Sequence, residues 1–598
     1  MTPTDQLQAL AARFERDLGD PHDPASVLSF AQALDLDERE QYPYVPIGQL
    51  RRLGLFEYII PGEFGGKAVN VEDGFTLLRL VGRRDPTTAT AVCLSFLNYV
   101  TLWMSATGQQ RAHYAEALRN GATFAFALSE RDHGSDLVNN EVVAERIDGG
   151  YLLSGEKWPI GNATVSDMVI VFARTGRPGR PDAASAFLVD KRRVPAGTLC
   201  PLPMQPRFGL RGSDLSGIRL DRCPVPDSAL LGREGEGLEI ALRSTLLPRV
   251  AVNSFVLGGA DTCLRIATDF ARPRRLYGGP VSDIPYTRRQ LVECLADLLI
   301  GDAVAGVAAI RGLQAVPEQA SLWSSTAKYF VPTLLFERTL PQISNIIGAR
   351  YYLRADPLFG PFQKMFRDIT VALFADGNTV VNLRTIGLAL DGLLANATEA
   401  PARLRDQATE RAATLFDLDA SLPEFRPAAL ELYCRGMDDG VLAMPAAIAG
   451  LRRLATGAKG QEADRLTAAA GLAERMLAEL AELRADQQRL KDEFGTQYSQ
   501  CAELLELAKQ YCVVHAAAAV VSLNVHSAGA LPDPFPSGAV LLACLDRLWR
   551  QLHPRDRIAD HTVIDEAVRV LFQLHDENRL FSFRRVDLAG AVNREPTL

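Results

Sequence analysis

A chain of 598 residues, 47% hydrophobic and 23% charged, is too long for one hydrophobic core and predicts several globular units, about four at roughly 150 residues each. Its 64 basic against 72 acidic side chains leave a formal charge of −8, which argues against a surface built to neutralise phosphates and so against nucleic acid as a partner. Nine scattered cysteines without a C-x-x-C pair predict reduced thiols; Met1 to Leu10 lack a secretory pattern, and no uninterrupted apolar run reaches the roughly 18 residues of a spanning helix, so a cytoplasmic protein without a transmembrane segment is expected.

Residues 1–121 repeat apolar positions at helical spacing, as in Val71, Phe75, Leu78 and Val81, with turn signals at Pro61-Gly62 and Gly65-Gly66. They predict an α-helical domain. Over 122–236 the pattern changes to short apolar runs bounded by Gly, Asp and Pro, at 123–128, 150–154, 168–172 and 186–190, which predict a β-domain. Helical periodicity resumes over 237–396, including 288–311 and 321–347, the latter punctuated by Pro332 and Pro341. Residues 397–598 predict an additional helical domain, with a strong helix at 463–493 and a proline-rich break at 531–536. The fold class is therefore mostly α with a central β-domain.

The chemistry concentrates in Phe126-Ala-Leu-Ser-Glu-Arg-Asp-His-Gly-Ser-Asp136 and Asp148-Gly-Gly-Tyr-Leu-Leu-Ser-Gly-Glu-Lys157. A strand ends at Leu128 in a turn carrying Ser129, Gly134 and Ser135, groups able to hydrogen-bond a planar or phosphorylated ligand. By itself such a turn reads equally as a serine-rich hairpin loop. The whole arrangement resembles the acyl-CoA dehydrogenase superfamily: apolar strand, Gly-Ser-Asp, then an Asp-Gly-Gly-Tyr hairpin leading to Gly-x-Lys. Phe64-Gly-Gly, Phe208-Gly-Leu-Arg-Gly-Ser213, Gly235-Glu-Gly237 and Phe270-Ala-Arg-Pro-Arg274-Arg-Leu-Tyr277-Gly278 follow in the family's order, so the resemblance covers about residues 50–390.

The resemblance implies an N-terminal helical domain, a barrel-like middle domain and a C-terminal four-helix bundle, with FAD as cofactor and an appended helical domain. Leu128, Ser129, Gly134 and Ser135 would contact the flavin and its pyrophosphate. Arg274 and Tyr277 would reach the FAD of a neighbouring protomer, which implies a homodimer or homotetramer. Two stretches depart from the family. Lys-x-Trp-Ile-Thr-Asn is here Lys157-Trp-Pro-Ile-Gly-Asn162, which moves the tryptophan to Trp158 and leaves Gly161 where a threonine usually stands. Gln-Ile-x-Gly-Gly-x-Gly is reduced to Gln342-Ile-Ser-Asn-Ile-Ile-Gly348, with Gly348 its remaining FAD-contacting glycine.

Removing the α-proton of a thioester requires a carboxylate held in a dry pocket. The family places a glutamate nine residues after the arginine of an Arg-Asp pair; nine residues after Arg367 stands Asp376, the candidate base. Asp-Gly-Asn is also a good turn, and aspartate a common helix cap. The family's other location for the base, immediately before the position of Arg249, is Pro248, which cannot accept a proton. The implied reaction is α,β-dehydrogenation of an acyl thioester: Asp376 takes the α-proton, the β-hydride goes to the flavin, the Asp376 N–H helps polarise the thioester carbonyl, and Arg249 tunes the carboxylate.

An aspartate that helps hold CoA thioesters is replaced by Leu246, which leaves acyl-CoA and acyl-carrier protein both open; Arg272 and Arg275 are basic groups suited to an acidic carrier. Electron-transfer flavoprotein is the expected electron acceptor. The alternatives are a flavin oxidase of the same fold, of the acyl-CoA oxidase or nitroalkane oxidase kind, and a nucleic-acid-binding member, which the acidic balance disfavours. His515, His526 and His575 are too far apart in sequence to suggest a metal site.

Overall fold

The computed structural model describes residues 1–590, so 591–598 of the predicted fourth unit lie outside the described residues. Helices precede and follow one mixed sheet of eight strands: β1 (Phe124–Ala127), β2 (Val143–Ile147), β3 (Gly150–Gly161), β4 (Met168–Arg174), β5 (Ala184–Asp190), β6 (Leu199–Leu202), β7 (Leu215–Pro226) and β8 (Leu230–Leu231). The order across the sheet is β6-β7-β3-β2-β4-β5-β8, with β1 paired in parallel to β4.

The expected runs at 123–128, 150–154, 168–172 and 186–190 fall in β1, β3, β4 and β5. They read as continuous apolar runs because both faces are covered. Phe124, Phe126, Met168, Ile170 and Phe172 join the helical core, while Ala125, Ala127, Val169 and Val171 join a second core with Tyr151, Phe187 and Ile218. The long strand β7 was not legible as an apolar run. It alternates buried Ile218 and Leu220 with exposed Arg219 and Asp221, and holds Pro224 beyond the residues that pair with β6.

Pro332 and Pro341 do not end the helix they were expected to punctuate. Ala320–Leu334 passes through a π-helical widening at Leu335–Thr339 into Leu340–Ile347, so the donor missing at Pro332 is absorbed by a wider turn. A similar widening, Asp302–Ala309, follows the Pro285–Gly301 helix. The predicted helix at 463–493 is Gln461–Phe494, and the proline-rich break separates Ala502–His526 from Ala539–Leu552. Averaged hydropathy, unlike uninterrupted runs, marks Gly237–Ala271 and Ala502–His526 as long and apolar enough to cross a membrane; 89% and 78% of their apolar windows are buried inside the protein, as in core helices.

Buried ion pairs bind the end of the chain into the central helices. The Asp302 carboxylate receives Arg79, the Ser582 hydroxyl at 2.8 Å and the Phe583 N–H at 2.9 Å. Asp261 takes Arg265 at 2.8 Å and the Phe581 N–H at 2.7 Å, and Glu72 takes Arg311 and Arg584. Asp302→Ala leaves the buried Arg79, the Ser582 hydroxyl and the Phe583 N–H without this acceptor and should cost about 3–5 kcal/mol in denaturant unfolding. Arg39→Ala, which removes an exposed partner of Asp35, should cost no more than about 1 kcal/mol in the same measurement.

Candidate active site

The loop after β1 is held open by a buried lysine. Lys157 on β3 is fully buried and donates to the Leu128 carbonyl at 2.9 Å and to the Glu130 carboxylate at 2.8 Å. Burial pulls its pKa down to about 8 against the attraction of Glu130. Glu130 also accepts the N–H groups of Glu141 and Val142, and Asn140 donates to Leu128, so the loop's base is fixed from within. Its tip stays open: Gly134 and Ser135 are exposed, and a side chain at Gly134 would meet nothing within 4 Å. Ser129 is half-buried, and its carbonyl accepts the Trp158 N–H at 3.0 Å.

Trp158 lies under the Arg131 guanidinium, 4.4 Å from the ring centre, and its indole Nε1 is buried without a partner. A methyl group added at Gly161 would lie 2.7 Å from Leu94, so a threonine at this position would displace that leucine. Next to it, Asn162 is anchored by the Tyr42 hydroxyl at 3.2 Å and by its own N–H to the Asp214 carbonyl at 2.8 Å.

A second group gathers around a cavity of about 580 Å³ lined in part by Phe270, Arg274, Arg275, Arg350 and Phe359. Arg274 and Arg350 stand 5.6 and 5.1 Å from the Phe270 ring centre. Sequence reasoning missed Arg350, two residues beyond Gly348 in the altered motif. Gly348 itself is exposed and closes its helix at a φ of +61°. Tyr277, at the tip of a small hairpin, is 98% exposed. Of the two basic groups suited to an acidic carrier, Arg272 pairs with Asp576, with one contact at 3.1 Å, while Arg275 is exposed and donates to the Gly278 carbonyl at 3.1 Å. His575 bonds Asp269 at 2.8 Å and His515 bonds Asp438 at 2.7 Å, and among the described residues no group of three His, Cys, Asp or Glu is placed to hold a metal.

The third group surrounds Asp376. This residue is half-buried and has a φ of +56°, a left-handed conformation that costs a non-glycine residue roughly 1–2 kcal/mol and persists only where neighbours impose it. Arg249, buried on the Leu246–Ala271 helix, donates through Nε to the Asp376 carbonyl at 3.1 Å. Asn382 donates to the Gly377 and Asn378 carbonyls at 2.9 Å each, and Lys328 on the Ala320–Leu334 helix donates to the Ala372 carbonyl. Asn378, not Asp376, caps the following helix, its side chain accepting the Val381 N–H at 2.9 Å. The Asp376 carboxylate oxygens carry no hydrogen bond from the described residues. Burial raises the pKa of this carboxyl, opposed by the charges of Lys328 and Arg249, whose own values burial pulls down to about 8 and about 10.

Residues 125–223 match the acyl-CoA dehydrogenase middle domain, and 235–390 the acyl-CoA dehydrogenase C-terminal domain. An acyl-CoA dehydrogenase of Bacillus subtilis is 29% identical over 374 residues, 60% of this chain and 92% of its own length. The benzylmalonyl-CoA dehydrogenase of Aromatoleum aromaticum is 31% identical over 275 residues, 45% of this chain and 70% of its own. This chain belongs to the acyl-CoA dehydrogenase family. The fold agrees: the prolyl acyl carrier protein oxidase AnaB superposes with a TM-score of 0.57 at 20% identity, over 63% of this chain and 96% of its own.

The family's cofactor is FAD, and the residues present fit it. The open tip at Gly134 and Ser135 leaves room for a ligand, and the unpartnered Trp158 Nε1 is a buried donor in want of an acceptor. Because the carboxylate must be ionised to accept a proton, and because burial raises its pKa, kcat/KM for α-proton removal should climb with pH through a value above the ordinary aspartate range near 4. A profile already flat from pH 4 upward would show that no raised carboxyl limits the reaction.

Proposed function

We propose that this chain carries out flavin-dependent α,β-dehydrogenation of an acyl-CoA thioester, with Asp376 as the base. The observation that carries this reading is the Asp376 carboxylate itself, which takes no hydrogen bond from the described residues yet lies in the field of the buried cations Arg249 and Lys328. When bound, FAD supplies the acceptor for the β-hydride. Asp376 takes the α-proton on a carboxylate oxygen, and its raised pKa brings the base nearer to the demands of a carbon acid. Arg249 fixes the backbone from which the carboxylate projects, through the Asp376 carbonyl.

Ser129, Gly134, Ser135, Trp158 and Gly161 would hold the flavin portion within one protomer. Arg274, Arg350 and Gly348 would serve the FAD of a second copy. Supporting such a homo-oligomer, Leu276, Tyr277, Tyr352 and Leu353 are exposed apolar side chains beside the residues that line the arginine cavity. The position of Leu246 is buried and gives no polar handle, and the engagement of Arg272 by Asp576 weakens the case for a carrier protein. An electron-transfer flavoprotein would collect the electrons.

Asp376→Asn should retain bound FAD and lose at least about 1,000-fold in anaerobic flavin bleaching by a short acyl-CoA, since the amide cannot take the proton. Asn378→Ala removes the helix cap and should cost about 1 kcal/mol of stability while leaving bleaching intact. Bleaching at the wild-type rate by the asparagine variant would remove Asp376 from the mechanism.

A further inference from the structure

Lys328 is the most deeply buried charge near Asp376, at 2% exposure, and neither charge balance nor motif explains its presence. Placing an ammonium in a protein interior costs several kcal/mol unless a partner compensates. Its one hydrogen bond among the described residues goes to a neutral carbonyl, that of Ala372, in the 3-10 turn Thr370–Leu373 that leads into Asp376. The opposite charge acting on it is that of Asp376. The lysine therefore approaches the carboxylate's loop from the Ala320–Leu334 helix while Arg249 approaches from the Leu246–Ala271 helix.

We propose that Lys328 is a positioning residue for the dehydrogenation: it tethers the turn that leads into Asp376 and supplies the second positive charge that keeps the base ionised as substrate displaces water from it. This rests on the assignment of Asp376 as the base. A carboxylate flanked by one cation, in a cleft that loses water as substrate enters, moves toward its neutral form and cannot start the reaction. Two cations that reach the loop from different helices oppose that drift, and no described residue hydrogen-bonds the carboxylate oxygens, which stay free for the α-proton.

The groups facing Asp376 bound the interpretation of its titration. Arg249 comes from one helix and Lys328 from a second; Cys93 on the Pro86–Ser105 helix feels the aspartate, and burial together with that negative charge holds its thiol well above neutral titration. The Thr379–Glu399 helix contributes the amide of Asn382 against the loop carbonyls. Asp376 and Arg249 are in turn the charges that act on Lys328.

Lys328→Gln can keep a donor toward Ala372 while removing the charge, and Lys328→Arg keeps the charge. In anaerobic single-turnover flavin bleaching by a short acyl-CoA, the acid limb of the bleaching rate constant should move up by about one pH unit or more in Lys328→Gln and return toward wild type in Lys328→Arg, with the half-saturating substrate concentration changed less than about threefold in both. An acid limb unmoved in the glutamine variant, in a background where Asp376→Asn is inactive, would overturn the role of the lysine alone. Activity surviving in Asp376→Asn would overturn the base and the lysine's role together. Should the glutamine variant fail to fold, Lys328→Met provides the same neutral test without a polar group to bury, and an unmoved acid limb there would equally overturn the proposal.

Discussion

A carboxylate that must draw a proton from carbon has to be dry enough to be basic and charged enough to be ready, and these demands oppose each other. The region around Asp376 suits both: the carboxylate lies in the field of two buried cations, and its oxygens take no hydrogen bond from the described residues. The constraint extends outward. The left-handed backbone at Asp376 is paid for by Arg249 on its carbonyl and Asn382 on the next two, and the capping task passes to Asn378.

The Arg-Asp pair of the motif is explained by similar physics one turn away. Asp368 is buried with Lys364, takes the Thr87 hydroxyl at 3.0 Å and accepts the Leu210 N–H at 2.6 Å, which joins the loop before β7 to the helix that leads toward Asp376. Glycine is required at 209 because a side chain would come within 2.3 Å of the Arg367 carbonyl carbon's oxygen. A motif met as a string of letters in the β-domain is thus a docking surface for the bundle. Asp261, Asp302 and Glu72 do similar work for the end of the chain, so the residues beyond the family match pack into the catalytic helices instead of standing apart.

What the sequence made legible follows from how local its physics is. Apolar runs marked β1, β4 and β5 because both of their faces are buried, whereas Asp376 was singled out only by its distance from Arg367 in a family motif. Lys328 was invisible because a lysine in an apolar helix reads as a solvent-facing position until tertiary packing buries it. Arg350 was obscured by the altered glycine motif before it, and Arg272 read as a free cation until Asp576, some three hundred residues later, claimed it. Long-range partners of this kind leave no periodicity to find.

The central claim, that Asp376 removes the α-proton, is tested most directly without hydride transfer. A short acyl-CoA analogue with no hydrogen on its β-carbon, incubated with the FAD-loaded enzyme in D2O, reports deprotonation as deuterium at the α-carbon by mass spectrometry. The account predicts exchange with the wild type and none above the uncatalysed rate with Asp376→Asn at equal FAD content. Equal exchange in both proteins would contradict it.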